Sequence, residues 1–323
     1  MERNTVSPGS TVSPGSTVGG VLRAAAARAP DRTALIFGDR WWSYADLLAE
    51  ATDGARALLA SFIPGDVVAV WAENRAEWVA LEFAAGLAGL TLVPINPSAR
   101  ADEVSYVLAH SGARGIFIGT NGTDEPSSSR SGLLRSVAHR LPALRFVISL
   151  GEWSALCATG SLGLPDGVRC LPGMALPEVD PGGLAQIVYT AGTTGRPKAV
   201  LLTHQGLTGN AGAAVRAFGG RDGDVVINPL PLSHVTGCGL ATLGVARLAG
   251  TQVLMPRFDA AVALTLAERH RAGLLYADPG MLTALVAART APPGPGATGP
   301  GSLRAVVSGG APLPPDLALE AET

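Results

Sequence analysis

The residues best suited to chemistry lie between Tyr189 and Ala199, where the chain reads TAGTTGRPK. Glycine lets backbone N–H groups approach an anion closely, and threonine hydroxyls add further hydrogen-bond donors. A lysine at the end of such a loop supplies a compact positive charge for phosphate oxygens. The composition therefore suits a polyphosphate cradle, and its candidate ligands are Thr190, Ala191, Gly192, Thr193, Thr194, Gly195 and Lys198.

Composition alone leaves another interpretation open, an exposed Gly/Thr turn with a solvated lysine. In the P-loop of nucleotide hydrolases the lysine follows the second glycine directly and precedes Ser or Thr. Here Arg196 and Pro197 separate Gly195 from Lys198, and Ala199 follows. The order of residues therefore disfavours a kinase-like P-loop protein, whereas a phosphate loop of another kind and a plain turn both remain.

Two further segments could line a site. His234 ends the string PLPLSH, although a histidine in apolar surroundings is often structural. Gly309, Gly310, Ala311 and Pro312 follow an apolar run, and such small residues let a flat ring lie against the backbone or simply form a tight turn. His204, which follows the phosphate segment, is expected to pack or cap at the start of a helix.

Apolar runs alternate along the chain with segments of helical periodicity. Ser43 and Asp46 have capping-box spacing just before one such helix. The alternation predicts an α/β fold in which layered, parallel-rich sheets are covered by helices. Strands are predicted at 34–37, 67–71, 92–94, 115–119, 144–150, 184–189, 225–228, 252–254, 274–276 and 303–308, and helices at 44–61, 77–90, 101–111, 205–218 and 259–271.

Length and composition exclude several classes of protein. A chain of 323 residues suggests about two domains or one large one, and 47% hydrophobic residues exclude global disorder. A net charge of −2 gives no general attraction to nucleic acid or anionic membrane. The tandem repeat TVSPGS at residues 5–16 predicts a disordered tail over 1–20 and a folded part over 21–323. Trp41, Trp42, Trp71 and Trp78 are predicted core residues.

No targeting or membrane segment is predicted. The N-terminus lacks the apolar stretch of a secretory signal. The uncharged segment 225–246 contains Asn228 and two prolines, so we interpret it as buried or site-lining loop and strand. Three cysteines stand at no metal-ligand spacing and predict a reduced, cytoplasmic protein.

The string YTAGTTGRPKAVLLTH closely resembles the phosphate loop of the adenylate-forming, or AMP-binding, enzyme superfamily. That superfamily contains acyl-CoA synthetases, luciferases and the adenylation domains of peptide synthetases. Ala191 stands where the family usually has Ser, and Ala199 where it usually has Gly. Other segments resemble the family in its own order, namely WWSYADLLAEA, PLPLSHVTG, FDAAVALTLAERHRAGLLYADPGMLTAL and VSGGAPL.

The resemblance implies the large N-terminal domain of such an enzyme, with a subdomain boundary near 180–184 and truncation before the small C-terminal domain. It implies that a carboxylic acid attacks the α-phosphorus of ATP, which releases pyrophosphate and leaves an acyl-adenylate. A thiol, either coenzyme A or a carrier-protein phosphopantetheine, would then capture the acyl group. Catalytic roles are implied for Lys198 and His234, and adenine contact for residues 309–312. Mg²⁺ is implied with ATP, but no residue of this chain is assigned to it.

Three hypotheses follow. The first is an ATP-dependent acid–thiol ligase, of which this chain is most of the large domain. The second is a non-catalytic truncated remnant that at most binds nucleotide. The third is an adenylation domain of peptide or polyketide synthesis. Residues 234–240 carry no charge that would select an amino acid's ammonium group, which favours a fatty or aromatic carboxylate. Asp278 stands where the family more often has an apolar residue or Thr.

Overall fold

A computed structural model describes residues 15–119, 130–159, 174–190, 196–290 and 301–322. Its strands are β1 Thr33–Phe37, β2 Arg40–Ser43, β3 Val67–Trp71, β4 Thr91–Ile95, β5 Gly115–Ile118, β6 Phe146–Ser149, β7 Leu184–Thr190, β8 Lys198–Thr203, β9 Val225–Asn228, β10 Thr251–Leu254, β11 Leu274–Ala277 and β12 Ala305–Ser308. Its α-helices are α1 Val18–Arg28, α2 Tyr44–Leu59, α3 Ala76–Ala88, α4 Ala101–Ser111, α5 Arg130–Val137, α6 Trp153–Thr159, α7 His204–Ala217, α8 Leu243–Arg247, α9 Ala260–Arg269, α10 Pro279–Thr290 and α11 Pro315–Glu322.

The described strands form two six-stranded sheets. Sheet A has the order β12-β11-β9-β10-β1-β2, and sheet B the order β6-β5-β3-β4-β7-β8. Neighbouring strands are parallel except at one edge of each sheet, where β1 pairs with β2 and β7 with β8 in antiparallel fashion. The predicted fold of parallel-rich sheets covered by helices is confirmed.

The main core lies between the sheets and is filled by α1, α2 and α3. Along β3, Val68 and Val70 face this core, whereas Ala69 and Trp71 face a second cluster on the other side of sheet B. This alternation follows from the two-residue period of a strand whose sheet is covered on both faces. Twelve of the thirteen residues of α3 are buried, so α3 is an internal helix.

Local sequence signals predicted the bounds of several helices and strands correctly. Ser43 and Asp46 form the predicted capping box, with Asp46 N donating to Ser43 Oγ at 3.1 Å and Ser43 N donating to Asp46 Oδ2 at 3.0 Å. The bounds predicted for β3, α4 and β9 match those observed. Among the described residues no helix has both the length and the apolar character needed to cross a membrane.

Three expectations were wrong. The interpretation of segment 225–246 as loop and strand holds for β9 and the turn after it but is wrong from Thr236 onward, where a π-helix, Thr236–Thr242, and then α8 follow. Trp41 is 74% exposed rather than buried, since it lies on the outward face of the edge strand β2. The folded part begins before residue 21, because α1 starts at Val18, whose side chain is buried. Residues 1–14 of the predicted tail lie outside the described residues.

Candidate functional site

The two ends of the candidate phosphate loop, residues 190–198, face each other across a hairpin. Thr190, the last residue of β7, pairs directly with Lys198, the first residue of β8. Both residues are exposed, and side chains of directly opposed residues are about 5 Å apart at Cβ. Thr190 and Lys198 are therefore cross-strand neighbours at the carboxyl end of β7. The other predicted ligands, Ala191, Gly192, Thr193, Thr194 and Gly195, lie outside the described residues.

Helix α4 holds both strands of this hairpin through an aromatic clamp that consists of Tyr106, His110 and Tyr189. Tyr106 Oη donates to the carbonyl oxygen of Pro197 at 3.1 Å, on the β8 side. On the β7 side, His110 Nδ1 lies 2.8 Å from Tyr189 Oη, and the rings of Tyr106 and Tyr189 meet edge to face with centroids 6.3 Å apart. Burial raises the pKa of Tyr189 to about 12, so its phenol stays protonated.

The second predicted site residue, His234, is exposed and lies in a partly buried turn over residues 229–236, which we call the His234 turn. Its Nδ1 atom lies 2.9 Å from Thr236 Oγ1 and accepts from Thr236 N at 3.3 Å. A backbone N–H can only donate, so Nδ1 of the neutral ring is the acceptor and Nε2 carries the proton. The outer nitrogen of His234 can thus donate a hydrogen bond to an anionic or carbonyl oxygen.

A buried asparagine ties the His234 turn to the other sheet. Asn74 Nδ2 donates to Leu230 O at 2.9 Å and to Met255 O at 3.0 Å, and Asn74 Oδ1 accepts from Leu232 N at 2.8 Å. Asn74 follows β3 of sheet B, whereas Leu230 and Met255 follow β9 and β10 of sheet A. The carboxyl ends of strands from both sheets are therefore joined at this point.

The π-helix after His234 also constrains the turn. Asn228 Nδ2 donates to Gly237 O at 3.3 Å, and Asn228 Oδ1 accepts from Leu230 N at 3.1 Å. A Cβ atom on Gly237 would overlap the carbonyl oxygen of Pro231. Glycine is therefore required for the turn and the π-helix to pack this closely, and π-helical turns often occur at functional sites.

The third predicted segment follows β12. Gly309, Gly310, Ala311 and Pro312 are all exposed, and Gly310 has a left-handed φ of +89°. Strands β12, β11 and β9 are adjacent and parallel, so their carboxyl ends share one edge of sheet A. That edge brings the small-residue loop, the residue after β11 and the His234 turn to the same end of the sheet.

Two polar residues in this region have structural partners. Asp278, after β11, caps α10, because its Oδ1 atom accepts from Met281 N at 2.7 Å. His204 is buried, and its Nδ1 atom accepts from the first amide of α1, Val18 N, at 3.3 Å. Burial lowers the pKa of His204 to about 4. The predicted packing role of His204 is confirmed, whereas the cap of α7 itself is Thr203, which accepts from Gly206 N.

The sequence did not reveal the residues that position the site. Tyr106 and His110 are one helical turn apart on α4, a spacing equally typical of a surface helix. Asn74 follows a strand and precedes a helix, where asparagine is ordinarily read as a turn residue. Their partners are 91 and 156 residues away in Tyr106–Pro197 and Asn74–Leu230, so no local pattern connects them.

The arrangement offers three kinds of contact. The hairpin presents a cation and a hydroxyl to an anion, His234 presents an N–H donor, and the loop after β12 presents exposed backbone to a flat ring. In the part of the chain that the structure describes, no group of three or more His, Cys, Asp or Glu side chains could hold a metal ion.

Comparison with known proteins identifies the family of the chain. A family model described as AMP-binding enzyme matches residues 22–323. The chain is 31% identical over 296 residues to a feruloyl-CoA synthase of Amycolatopsis sp, which covers 91% of this chain and 54% of that protein. It is 29% identical to the medium-chain acyl-CoA ligase ACSF2 of Mus musculus, with 93% of this chain and 52% of that protein covered.

Solved structures of similar proteins have the same fold. The inhibitor-bound N-terminal domain of FACL13 from Mycobacterium tuberculosis matches with a TM-score of 0.77 at 26% identity, covering 95% of this chain and 73% of that chain. The chain spans about half the length of the curated relatives it matches. Because the family model covers nearly all of the sequence, from residue 22 to residue 323, the chain belongs to the family of AMP-binding enzymes.

Proposed function

We propose that this chain is the nucleotide- and acid-binding part of a ligase that joins a carboxylic acid to AMP and passes the acyl group to coenzyme A. In the first step a carboxylate oxygen attacks the α-phosphorus of ATP, a bond to the acyl oxygen forms, and pyrophosphate leaves. In the second step the thiol replaces AMP. Neither step needs a protein nucleophile, so positioning and charge supply the catalysis.

The observation that carries the proposal is the Thr190–Lys198 pair at the carboxyl end of β7, held by the aromatic clamp. Lys198 is the only lysine in a sequence with 24 Lys and Arg residues. We assign Lys198 to the phosphates of ATP, together with Thr190 and residues 191–195. Residues 309–312 are assigned to adenine and His234 Nε2–H to the acid. Mg²⁺ is expected with ATP, but the described residues offer no carboxylate cluster for it, and no step is assigned to it.

The acid is proposed to be fatty or aromatic. Residues 234–240, which run from His234 into the π-helix, contain no charged side chain to pair with an ammonium group. The names of two relatives, a feruloyl-CoA synthase and a medium-chain acyl-CoA ligase, agree with acids of these classes. An adenylation domain for amino acids is the alternative that the experiment must distinguish.

The test is exchange of labelled pyrophosphate into ATP by the chain, with a panel of fatty, aromatic and amino acids. Exchange that depends on a fatty or aromatic acid supports the proposal, and dependence on an amino acid alone supports the peptide-synthetase alternative. ATP binding without exchange for any acid overturns the ligase proposal for this chain and favours a nucleotide-binding remnant.

Replacing Lys198 by alanine should lower kcat/KM for exchange about 100-fold, because a charge that stabilises the transferring phosphates is lost. Lys198→Arg keeps the charge in a bulkier, planar form and should recover part of the rate. As the only lysine, Lys198 can also be followed by reductive labelling with an aldehyde. ATP should protect it, and labelling that ATP does not slow would contradict the assignment.

Replacing Tyr106 by phenylalanine should raise the KM for ATP about fivefold, because Pro197, which immediately precedes β8, loses the hydrogen bond that ties it to α4. Tyr44→Phe is the matched control. Tyr44 Oη donates to Gly250 O, so this variant also loses a tyrosine hydrogen bond, but neither residue belongs to the phosphate loop or to the aromatic clamp. Both variants should lose about 1 kcal/mol of stability, but only the first should change KM. Equal KM values in the two variants would show that the clamp does not position the loop.

A further inference from the structure

One acidic side chain of the internal helix α3, that of Glu82, is buried in the core. Glu82 is 2% exposed, and its Oε2 atom has no hydrogen-bond partner. A carboxyl group buried without its full set of partners destabilises a fold, and replacing such groups by apolar residues of similar volume is often neutral or stabilising. Packing alone therefore gives no reason for a glutamate at this position.

Glu82 belongs to a buried polar chain with Gln186 and Cys238. Gln186 Nε2 donates to Glu82 Oε1 at 2.8 Å, and Cys238 Sγ lies 3.6 Å from Gln186 Oε1, to which it donates. Cys238 Sγ also lies 3.4 Å from the carbonyl oxygen of His234. Gln186 is 1% exposed and Cys238 0% exposed, so the chain of hydrogen bonds is shielded from water along its length.

Two members of this buried polar chain, Gln186 and Cys238, lie on the elements that carry the two halves of the candidate site. Gln186 lies in β7, four residues before Thr190, within sheet B. Cys238 lies in the π-helix, one turn after His234, on the side of sheet A. Glu82 itself is on α3, which packs in the core between the sheets. A continuous polar connection therefore runs from the strand that carries the phosphate ligands to the turn that carries His234.

We propose that Glu82 is a positioning residue that, through Gln186 and Cys238, sets the His234 turn relative to the strand that carries Thr190. The inference rests on the proposed function, because it concerns how acid and ATP are brought together. Asn74 joins the two sheets at their carboxyl ends, and the buried polar chain joins them from within the core. Together the two connections hold the His234 turn from both sides.

At neutral pH the protonated, uncharged form of Glu82 predominates. Burial raises the pKa of Glu82 to about 8, although the hydrogen bond from Gln186 opposes this shift. Of the described ionisable groups, the Cys238 thiol lies against Glu82, and burial raises the pKa of that thiol well above its usual value. Ionisation of Glu82 at alkaline pH would place a negative charge beside Gln186, and no cationic side chain of the described residues acts on Glu82 to balance it.

Two substitutions at Cys238 test the link to His234. Cys238→Ala removes the single S–H donor, which can serve either Gln186 Oε1 or His234 O, so the KM for the acid should rise about 10-fold while the KM for ATP changes less than about twofold. Cys238→Ser restores an O–H donor of similar size and should recover most of the loss. If the alanine and serine variants behave alike, packing rather than hydrogen bonding explains the effect, and the proposal is overturned.

A pH profile of Glu82→Gln tests the carboxyl group itself. In the wild-type chain, kcat/KM for exchange should fall about 10-fold per pH unit above pH 8, as Glu82 loses its proton. Glutamine cannot ionise, so this fall should be absent in the variant, whose rate at pH 7 should stay within about threefold of wild type. An identical alkaline fall in both proteins would overturn the proposal.

The proposed function and this inference can fail separately. If the wild-type chain exchanges pyrophosphate but the variants show none of these effects, the inference alone fails. If the wild-type chain shows no exchange, amide hydrogen exchange of residues 232–240 decides the inference instead. Faster exchange there in Cys238→Ala than in Cys238→Ser supports the positioning role, and equal exchange in the two variants overturns it.

Discussion

Replacing Asn74 by alanine is expected to lower the free energy of unfolding by about 4 kcal/mol, because the buried atoms Leu230 O, Met255 O and Leu232 N all lose their partner. Each unsatisfied buried backbone group costs about 1–3 kcal/mol, and relaxation of the turn recovers part of the sum. Denaturant unfolding monitored by tryptophan fluorescence measures the change. This is a large loss for the truncation of one small polar side chain, and it follows from the three buried hydrogen bonds that Asn74 makes.

The same substitution should release the His234 turn. Leu230 and Leu232 flank Pro231, whose carbonyl oxygen accepts from His234 N at 3.0 Å. Amide hydrogen exchange over residues 230–236 should therefore accelerate more than exchange in α4 of the same variant. Pyrophosphate exchange should fall by at least about 100-fold, since small displacements of a positioning group have large kinetic effects.

Two control variants sharpen this prediction. Asn74→Asp has almost the same volume, but it turns the Nδ2 donor into a carboxylate oxygen facing Leu230 O and Met255 O. It should therefore be at least as unstable as Asn74→Ala at pH 7. Asn96→Ala removes one acceptor from an exposed loop, where Asn96 Oδ1 accepts from Ser98 N, and should cost under about 1 kcal/mol. An Asn74→Asp variant as stable as wild type would contradict the role of the amide.

The elements that the sequence predicted well are those whose signal is local. β3 is a continuous apolar run preceded by a Pro-Gly-Asp turn, and both its bounds were predicted correctly. Likewise α2 begins at a capping box that two residues define. In both cases the stabilising contacts join residues close in the chain, so periodicity and turn chemistry were sufficient.

The elements that were missed depend on distant contacts. α1 contains two adjacent glycines, which disfavour a helix, yet the backbone of Leu87 in α3 lies 3.0 Å from where a Cβ of Gly19 would be. The π-helix likewise depends on the close approach of Gly237 to Pro231. Here tertiary packing overrides local preference, and a single sequence carries no sign of it.

The residues of the candidate site fall into the same two groups, those recognisable from local sequence and those whose role depends on distant contacts. Thr190, Lys198 and His234 were recognisable because each belongs to a short motif with its own chemistry. Asn74, Tyr106 and Glu82 were not, since each is an ordinary residue whose role is given by a partner more than 90 residues away. Sequence motifs thus identify the groups proposed to contact a ligand, whereas the groups proposed to position them become visible only in the folded chain.

The stability of the chain is expected to depend on pH through two buried groups that act in opposite directions. Burial raises the pKa of Glu82 from 4.5 to about 8, so the folded state binds this proton more tightly, and the free energy of unfolding falls as pH rises through this window. Burial lowers the pKa of His204 from 6.5 to about 4, so the free energy of unfolding rises with pH between these values. Nearby Asp180 opposes the His204 shift but does not outweigh burial.

Between the unfolded pKa of Glu82, 4.5, and that of His204, 6.5, the two slopes cancel, and above this range Glu82 acts alone. The wild-type chain should therefore lose about 2 kcal/mol between pH 6.5 and 8, at about 1.4 kcal/mol per pH unit. In Glu82→Gln the free energy of unfolding should instead rise by about 3 kcal/mol from pH 4.5 to 6.5 and then stay level.

Comparing the two proteins isolates Glu82, because every other titrating group contributes equally to both curves. The difference between them should grow by about 5 kcal/mol from pH 4.5 to 8, measured by urea unfolding at closely spaced pH values. His204→Asn is the complementary variant, and its stability should fall across the whole of this range. Parallel curves for wild type and Glu82→Gln would mean that Glu82 has the same proton affinity folded and unfolded, so that water reaches its carboxyl group within the core.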